Sequence, residues 1–202
     1  MSVFHSTSAY GINNSGQVVG AYGDIGGNGS HGFLYSGGSY TTIDDPLGIK
    51  VISGPHNIPT TEAFGINNLG QIVGLYEDNS GIHGFLDNMG IYTTLDGPPG
   101  SVTSYATGIN DLGQIVGQYT DQYGFEGSYI YSNDIYTLLA SVNVTGINDS
   151  GQIVGSYSNR TDSFLASPTP LPSTWIMMLP VLAGVGFVAY RRQKQNFAIA
   201  AA

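Results

Sequence analysis

The sequence contains no cysteine. Disulfide bonds, thiolate metal sites and cysteine nucleophiles are therefore excluded. The absence fits an exported bacterial protein that needs no oxidative folding, although many cytosolic proteins also lack cysteine.

Charged residues are scarce, at 9% of the 202 residues, and most of them are acidic. All 14 carboxylates precede residue 163, whereas three of the five basic residues lie in the C-terminal tail. The other two, Lys50 and Arg160, leave the body strongly negative. Because such a surface repels phosphate backbones, we expect no nucleic-acid partner.

Glycine and tyrosine are abundant by contrast, with 30 and 14 residues. Glycine suits tight turns, and aromatic and β-branched residues favour strands. Long amphipathic helices would need more Ala, Glu, Lys and Leu than the chain provides. The composition therefore favours an all-β fold of short strands.

Internal repetition is the strongest signal. One phrase begins at residues 11, 65, 108 and 146, as GINNSGQVVGAY, GINNLGQIVGLY, GINDLGQIVGQY and GINDSGQIVGSY. A second phrase follows the first three copies, as HGFLYSGGSYTTI, HGFLDNMGIYTTL and GSYIYSNDIYTLL. An insertion at 44–64 lengthens the first unit, and the fourth unit stops at SFLAS. Units of about 40 residues are typical of propeller blades.

Each unit is predicted to form four short antiparallel strands. Asn13 and Gly16 suit the two ends of a short hairpin turn between the first two strands. We therefore predict four propeller-like repeats over residues 1–167. In the first unit the strands are expected at Ala9–Ile12, Gln17–Tyr22, Phe33–Tyr35 and Tyr40–Ile43.

The last strand of the fourth unit is expected to be absent. Val3–Thr7 could complete that blade, as terminal strands do in closed propellers; otherwise the array is open and further repeats precede it. The start of the chain has neither a basic stretch nor an apolar core of an export signal, and we therefore expect a fragment of a longer exported protein.

Three glycines and one isoleucine recur in every unit. The glycine inside the second strand marks a bulge or a close approach of two backbones. The isoleucines are expected to form buried faces between units, since one hairpin unit cannot bury its apolar face alone. These residues are Gly11, Gly16, Gly20, Gly65, Gly70, Gly74, Gly108, Gly113, Gly117, Gly146, Gly151 and Gly155, with Ile12, Ile66, Ile109 and Ile147.

The phrase GIN-x-x-GQ-[IV]-VG followed by HGFL resembles the extracellular HAF-repeat family of bacteria. Gly32 and Gly84 stand where the family's His-Ala-Phe triplet has Ala. The resemblance covers roughly residues 8–167. It implies a surface or secreted propeller-like protein and no defined activity.

An apolar segment with basic residues behind it ends the chain. Residues 168–174 form a Pro-rich linker, 175–190 a nearly uncharged stretch, and 191–202 a basic tail. From Leu171 to Tyr190 the segment has 20 residues, the length that a helix needs to cross a bilayer. Trp175 and Tyr190 suit the two interfaces, and the basic residues predict a cytoplasmic end. We therefore predict a transmembrane helix at 175–190.

The tail is similar to the PEP-CTERM sorting signal. The matching residues are Pro170, Leu171, Pro172, Ser173, Trp175, Arg191 and Arg192. The resemblance implies processing by an exosortase-like enzyme in the inner membrane of a Gram-negative bacterium, and delivery to the surface. Leu171 replaces the usual Glu, and residues 195–202 extend the usual end.

No motif for catalysis occurs: G-x-S-x-G, S-x-x-K and H-E-x-x-H are all absent. His31 and His83 share a repeat position that is Gly127 and Asp162 in the other units, so we interpret them as packing or turn residues, whereas His5 and His56 are isolated. A glycosidase would need two facing carboxylates. The available ones are Asp44, Asp45, Glu62, Glu77 and Asp78.

Calcium is considered for two links between strands, 76–81 and 119–124, where Asp, Asn and Gly lie together. Neither link has the spacing of a known calcium loop, and Asp and Asn are ordinary turn residues. We predict no cofactor and no metal site.

These observations predict a non-enzymatic protein of the bacterial surface or extracellular matrix. The alternative is a lectin-like module that binds exopolysaccharide, with or without Ca²⁺. Five tyrosines could offer platforms for sugar rings, although alternate strand residues are as easily core. They are Tyr35, Tyr40, Tyr92, Tyr131 and Tyr136.

Overall fold

The computed structural model describes residues 6–23, 29–51, 57–139, 141–158, 162–168, 187–191 and 198–200. Every regular element among these residues is a β-strand. Four antiparallel sheets follow one another along the chain in a propeller arrangement, and in each of them one copy of the repeated phrase contains the turn between the first two strands. The prediction of an all-β fold with four units of about four antiparallel strands each is thereby confirmed.

The first three blades each contain four strands in sequence order. Blade 1 contains β1 (Thr7–Ile12), β2 (Val18–Gly23), β3 (Ser30–Ser36) and β4 (Ser39–Ile43). The insertion adds a hairpin of β5 (Ile49–Val51) and β6 (Asn57–Pro59). Blade 2 contains β7 (Thr61–Ile66), β8 (Ile72–Glu77), β9 (Ile82–Asn88) and β10 (Ile91–Leu95). Blade 3 contains β11 (Ser101–Ile109), β12 (Ile115–Asp121), β13 (Glu126–Ser132) and β14 (Ile135–Leu139).

Blade 4 corrects one expectation, because its fourth position is filled. It contains β15 (Val142–Ile147), β16 (Ile153–Tyr157) and β17 (Ser163–Pro168), followed by β18 (Phe187–Arg191) and β19 (Ala198–Ala200). β18 pairs with β17, so residues from the tail complete the blade. Thr7 belongs to β1 and pairs with Tyr22, and residues 3–5 lie outside the described part.

The predicted membrane helix falls largely outside the described residues. Of 175–190 only the last four residues are described, and they belong to β18. Within the described ranges no helix has the length and apolar character to cross a bilayer. Over the remainder of the segment the helix stays a prediction.

The repeated turn follows from its Asn and Gly. The Oδ1 atom of Asn13 accepts hydrogen bonds from the backbone N–H groups of Ser15 and Gln17, both at 3.0 Å. Gly16 adopts a φ of 74°, a left-handed conformation that suits glycine. The same arrangement recurs at the three other copies, where the asparagines and glycines are Asn67, Asn110, Asn148, Gly70, Gly113 and Gly151.

Of the two roles expected for the strand glycines, close approach is the right one. A Cβ atom on Gly20 would clash with the carbonyl oxygen of Ser8 and the ring of Phe33. Gly74, Gly117 and Gly155 face the same obstacles. The bulge lies on the facing strand instead, between Ala9 and Gly11 in blade 1 and at the equivalent place in each other blade.

The core lies between blades. Three apolar clusters join blades 1 and 2, blades 2 and 3, and blades 3 and 4. Ile66 and Ile109, each 7% exposed, lie at these boundaries, which confirms the expectation for the central units. Ile12 is 70% exposed, contrary to the expectation, because no described blade precedes it. Ile147 is partly buried.

Candidate functional site

Two blades carry a pair of tyrosines at the outer hairpin. In blade 1 Tyr35 lies directly across from Tyr40 in the β3–β4 register, and their ring centroids are 4.8 Å apart. In blade 3 Tyr131 and Tyr136 repeat the arrangement, again at 4.8 Å. Antiparallel pairing explains the geometry, since directly opposed residues place their side chains on one face.

The two pairs differ in what surrounds them. Tyr40 is 71% exposed, so most of its side chain is accessible to solvent. In blade 3 the hydroxyl of Tyr131 donates a hydrogen bond to Asp134 at 2.8 Å. This bond to a carboxylate, together with burial, raises the pKa of Tyr131 to about 12. Blade 1 therefore has the more accessible aromatic platform.

Blade 2 lacks the pair, because Asp87 occupies the first position opposite Tyr92. Tyr92 packs against the core cluster between blades 1 and 2. Its pKa is raised by burial and by the charges of Asp87 and Asp45. Tyr92, like Tyr131 at the next boundary, therefore lies partly buried against a core cluster, which favours the packing alternative for it.

His31 and His83 each lie between a tyrosine ring and an aspartate. His31 stacks on Tyr22 with ring centroids 5.0 Å apart, and its Nδ1 lies 3.0 Å from the carboxylate of Asp44. His83 stacks on Tyr76 at 5.1 Å and reaches Asp96 Oδ1 at 2.8 Å. These contacts support the interpretation of both histidines as packing residues.

Sequence reasoning missed the aspartate partners, although the signal was present. The fourth strands of blades 1 and 2 continue as IDDPLG and LDGPPG, with Asp44 and Asp96 at the same place. Blade 3 has Ala140 there and Gly127 in place of the histidine. Histidine and aspartate are thus kept together or lost together, as expected for a contacting pair.

One cluster on the rim of blade 2 has the order of a Ser-His-Asp triad. His83 Nε2 lies 2.9 Å from Ser80 Oγ, while its Nδ1 faces Asp96. However, the Ser80 hydroxyl donates to Asp78 Oδ1 at 2.6 Å, so its hydrogen points away from His83. Asp96 is 72% exposed. The cluster therefore holds the 78–81 turn against β9.

The carboxylates considered for glycosidase chemistry are engaged in separate roles. Asp44 pairs with His31, and Asp78 accepts the backbone N–H groups of Ser80 and Gly81. These hydrogen bonds, that from the Ser80 hydroxyl above all, lower the pKa of Asp78. Burial raises the pKa of Glu62.

Asp45 is the buried member of that set, at 3% exposure. Its Oδ1 accepts the N–H of Leu47 at 2.8 Å, and its Oδ2 has no partner among the described residues. Burial raises the pKa of Asp45, which favours its neutral form in the fold.

The two links considered for calcium are ordinary turns. Asp78 caps the first link, and Asp121 Oδ1 accepts the N–H groups of Tyr123 and Phe125 in the second. Across the described ranges, no three His, Asp or Glu side chains converge in a way that could hold a metal ion. Of the sorting residues, only Arg191 is described, at the end of β18.

Neither a protein-family model nor a curated protein matches the chain. Solved structures that resemble it include two lectins. A fucose lectin from Kordia zhangzhouensis in complex with methyl-fucoside is 12% identical, with a TM-score of 0.37, covering 67% of this chain and 98% of the lectin. A mutant of the Aleuria aurantia lectin AAL in complex with Fucα1-6GlcNAc is 13% identical, with a TM-score of 0.39, covering 97% and 77%. At these values neither likeness assigns a function to this chain.

Proposed function

We propose that this chain is a non-enzymatic carbohydrate-binding protein of the bacterial surface. The observation that carries the proposal is the tyrosine pair of blade 1, in which Tyr40 lies 71% exposed beside Tyr35. The two solved structures that it resembles are sugar-binding lectins, but the proposal rests on the pair and not on that likeness.

The chemistry of the pair suits a pyranose ring. A sugar ring has an apolar C–H face and a rim of hydroxyl groups, and tyrosine combines an apolar ring with a polar tip. Exposed aromatic side chains of this size are a feature of binding surfaces. Gln17 Nε2 donates to Ser36 Oγ at 3.3 Å beside the hairpin, so amide and hydroxyl groups for sugar hydroxyls lie close by.

An enzymatic function is less well supported. Glycoside hydrolysis needs two carboxylates across one sugar, and the described candidates are individually tied to His31, to turns or to buried positions. The Ser80 hydroxyl is directed at Asp78.

The test is a glycan-array screen of the full chain, with and without Ca²⁺, followed by titration of any hit. Tyr40→Ala should weaken binding roughly tenfold, because it removes the exposed ring. Tyr40→Phe should retain most of the affinity. The control is Tyr123→Ala, which removes a tyrosine that is 86% exposed but lies in a different loop. An array without a hit under either condition, or equal losses in both alanine variants, would contradict the proposal.

Display at the surface is the second part of the proposal. An acidic body, an apolar segment of 20 residues from Leu171 to Tyr190 and a basic end support membrane insertion through the tail, with an exosortase-like enzyme as partner. Insertion of the whole segment requires residues 187–190 to leave β18 of blade 4. Fractionation of cells that express the full gene tests it. The body should appear in the membrane or outside the cell, and its recovery only from the cytosol would contradict display.

A further inference from the structure

The three boundaries between blades repeat one hydrogen bond. Asn13 Nδ2 donates to the carbonyl oxygen of Asn67 at 3.0 Å. Asn67 Nδ2 donates in turn to the carbonyl oxygen of Asn110 at 3.1 Å, and Asn110 Nδ2 to that of Asn148 at 3.0 Å. Each blade therefore donates to the blade that follows it.

A second bond runs in the same direction. The backbone N–H of Asn14 donates to Asn68 Oδ1, that of Asn68 to Asp111 Oδ1, and that of Asp111 to Asp149 Oδ1, all at 2.8 Å. In both of these repeated bonds, the donor lies on the earlier blade and the acceptor on the later one, and we name the two sides of each boundary the donor side and the acceptor side accordingly. Such an interface is heterologous, since its two surfaces differ.

Blade 4 presents the donor side without a described blade to cover it. Asn148 is exposed, whereas Asn13, Asn67 and Asn110 are 9%, 3% and 2% exposed. Val154 is 46% exposed. The valines at the same repeat position in the other blades, Val19, Val73 and Val116, are fully buried.

Blade 1 presents the acceptor side without a described blade before it. Ile12 is 70% exposed, while Ile66 and Ile109 are each 7% exposed. Ala9 is exposed, and its equivalent Ala63 is fully buried. Contacts link each blade to the next, and none of similar extent links blades 1 and 4 among the described strands.

These two uncovered surfaces match each other. Asn148 Nδ2 and the N–H of Asp149 are the donors that a following blade would receive, and the carbonyl of Asn13 and the Oδ1 of Asn14 are the acceptors that it would bring. The carbonyl of Asn13 already accepts the N–H of Gly16 at 3.0 Å, but a carbonyl has room for two donors. The carbonyl of Asn67 likewise accepts two hydrogen bonds, from the N–H of Gly70 and from Asn13 Nδ2.

The polar side chains at the junction of the two uncovered surfaces also suit each other. Asp149 would meet Asn14, an aspartate against an amide, as Asn68 meets Asp111 within the chain at 2.7 Å. Ser163 repeats the position of Ser128, whose hydroxyl donates to the carbonyl of Val142 at 2.7 Å and accepts the N–H of Val144 at 3.0 Å. Ser163 is exposed on blade 4.

We propose that the donor surface of blade 4 binds the acceptor surface of blade 1 of a second copy of this chain. The occupant is a second copy because the chain itself carries both halves of the interface, with matched apolar and hydrogen-bonding positions. Head-to-tail binding of this kind produces closed rings or open chains of copies. The inference does not depend on the carbohydrate proposal.

The test blocks each surface separately in the full chain, held in nonionic detergent. Ile12→Lys blocks the acceptor surface and Val154→Lys blocks the donor surface; both residues are already exposed, so we expect both variants to fold. The matched controls are Ile91→Lys and Val102→Lys, at residues 70% and 51% exposed but outside the two surfaces. Masses are measured by size exclusion with light scattering, with the detergent contribution subtracted.

The proposal expects oligomers for the unchanged chain and both controls, and monomers for each blocked variant alone. An equimolar mixture of the two blocked variants should form dimers, because one variant keeps the donor surface and the other keeps the acceptor surface. A monomeric unchanged chain, which ring closure within one copy would produce, overturns the proposal. Oligomers that persist in both blocked variants, as association through the tail would produce, overturn it as well.

Discussion

Ile66 and Ile12 belong to the same phrase, GINN, yet one is 7% and the other 70% exposed. The two sequences are equivalent, and so are their hairpins and turn bonds. What differs is the neighbour: blade 1 covers Ile66, and no described blade covers Ile12. Whether a repeated apolar residue is buried therefore depends on the adjacent blade, and each unit needs its neighbours to complete its core.

The largest expected effect comes from truncating the isoleucines. Ile66→Ala should lower the free energy of unfolding by about 3 kcal/mol, because it leaves a cavity in the cluster between blades 1 and 2. In the Val154→Lys background, in which no second copy can cover Ile12, Ile12→Ala should cost less than about 0.5 kcal/mol, as surface substitutions do. Urea unfolding followed by circular dichroism measures both. Equal losses would mean that Ile12 is covered.

The hydrogen bond that an asparagine side chain donates across each boundary predicts a smaller difference in stability between two equivalent positions. Asn67→Ala removes the hydrogen bond that the Asn67 side chain donates to the carbonyl oxygen of Asn110 in a buried boundary. We expect this to cost about 1–3 kcal/mol beyond the loss of the turn bonds. In the Ile12→Lys background, in which no second copy accepts from Asn148, Asn148→Ala removes the turn bonds alone. The difference between the two losses of unfolding free energy isolates the hydrogen bond between blades. Equal losses would mean that this bond contributes nothing to stability.

The smallest effect concerns the pH dependence of two aspartates. The pKa of Asp45 is raised by burial at the boundary of blades 1 and 2, so its contribution to stability is present at low pH and is lost as pH rises through the folded pKa. The pKa of Asp78 is lowered by hydrogen bonds on the rim, so its contribution is present above the unfolded value and is lost on acidification.

Asp45→Asn should therefore stabilise the protein slightly at pH 7, and Asp78→Asn should destabilise it slightly there. Both effects should be below about 1 kcal/mol. Urea midpoints of the two variants at pH 7 and pH 3 give the test. A loss of stability at pH 7 in Asp45→Asn would show that the buried carboxylate has a partner that it needs.

Much of the blade could be predicted from sequence, because each unit repeats its own turn and strand pattern. The Asn13 turn and the close approach at Gly20 follow from residue types within a few positions. The exposure of Ile12 could not be predicted, since its sequence is the same as that of buried Ile66. The fourth strand of blade 4 was also missed, because β18 is distant in sequence and does not repeat the Tyr-Thr pair that the fourth strands of the other blades share.

The candidate site was predicted in part for a similar reason. Periodicity placed Tyr35 and Tyr40 on one hairpin, but exposed Tyr40 and packed Tyr92 occupy the same repeat position. Asp87, in place of a first tyrosine, is the difference between their hairpins. The contacts of His31 and His83 with their aspartates could be predicted only from a comparison of the units that includes the residues after the fourth strand.

Amide hydrogen exchange tests the dependence of each blade on its neighbours most directly. It is measured on the double variant Ile12→Lys, Val154→Lys, so that no second copy covers the end surfaces. The account predicts slow exchange in β7, β8, β11 and β12, and faster exchange in β1 and β16. Uniform protection across the four blades, or slower exchange in β1 than in β7, would contradict it.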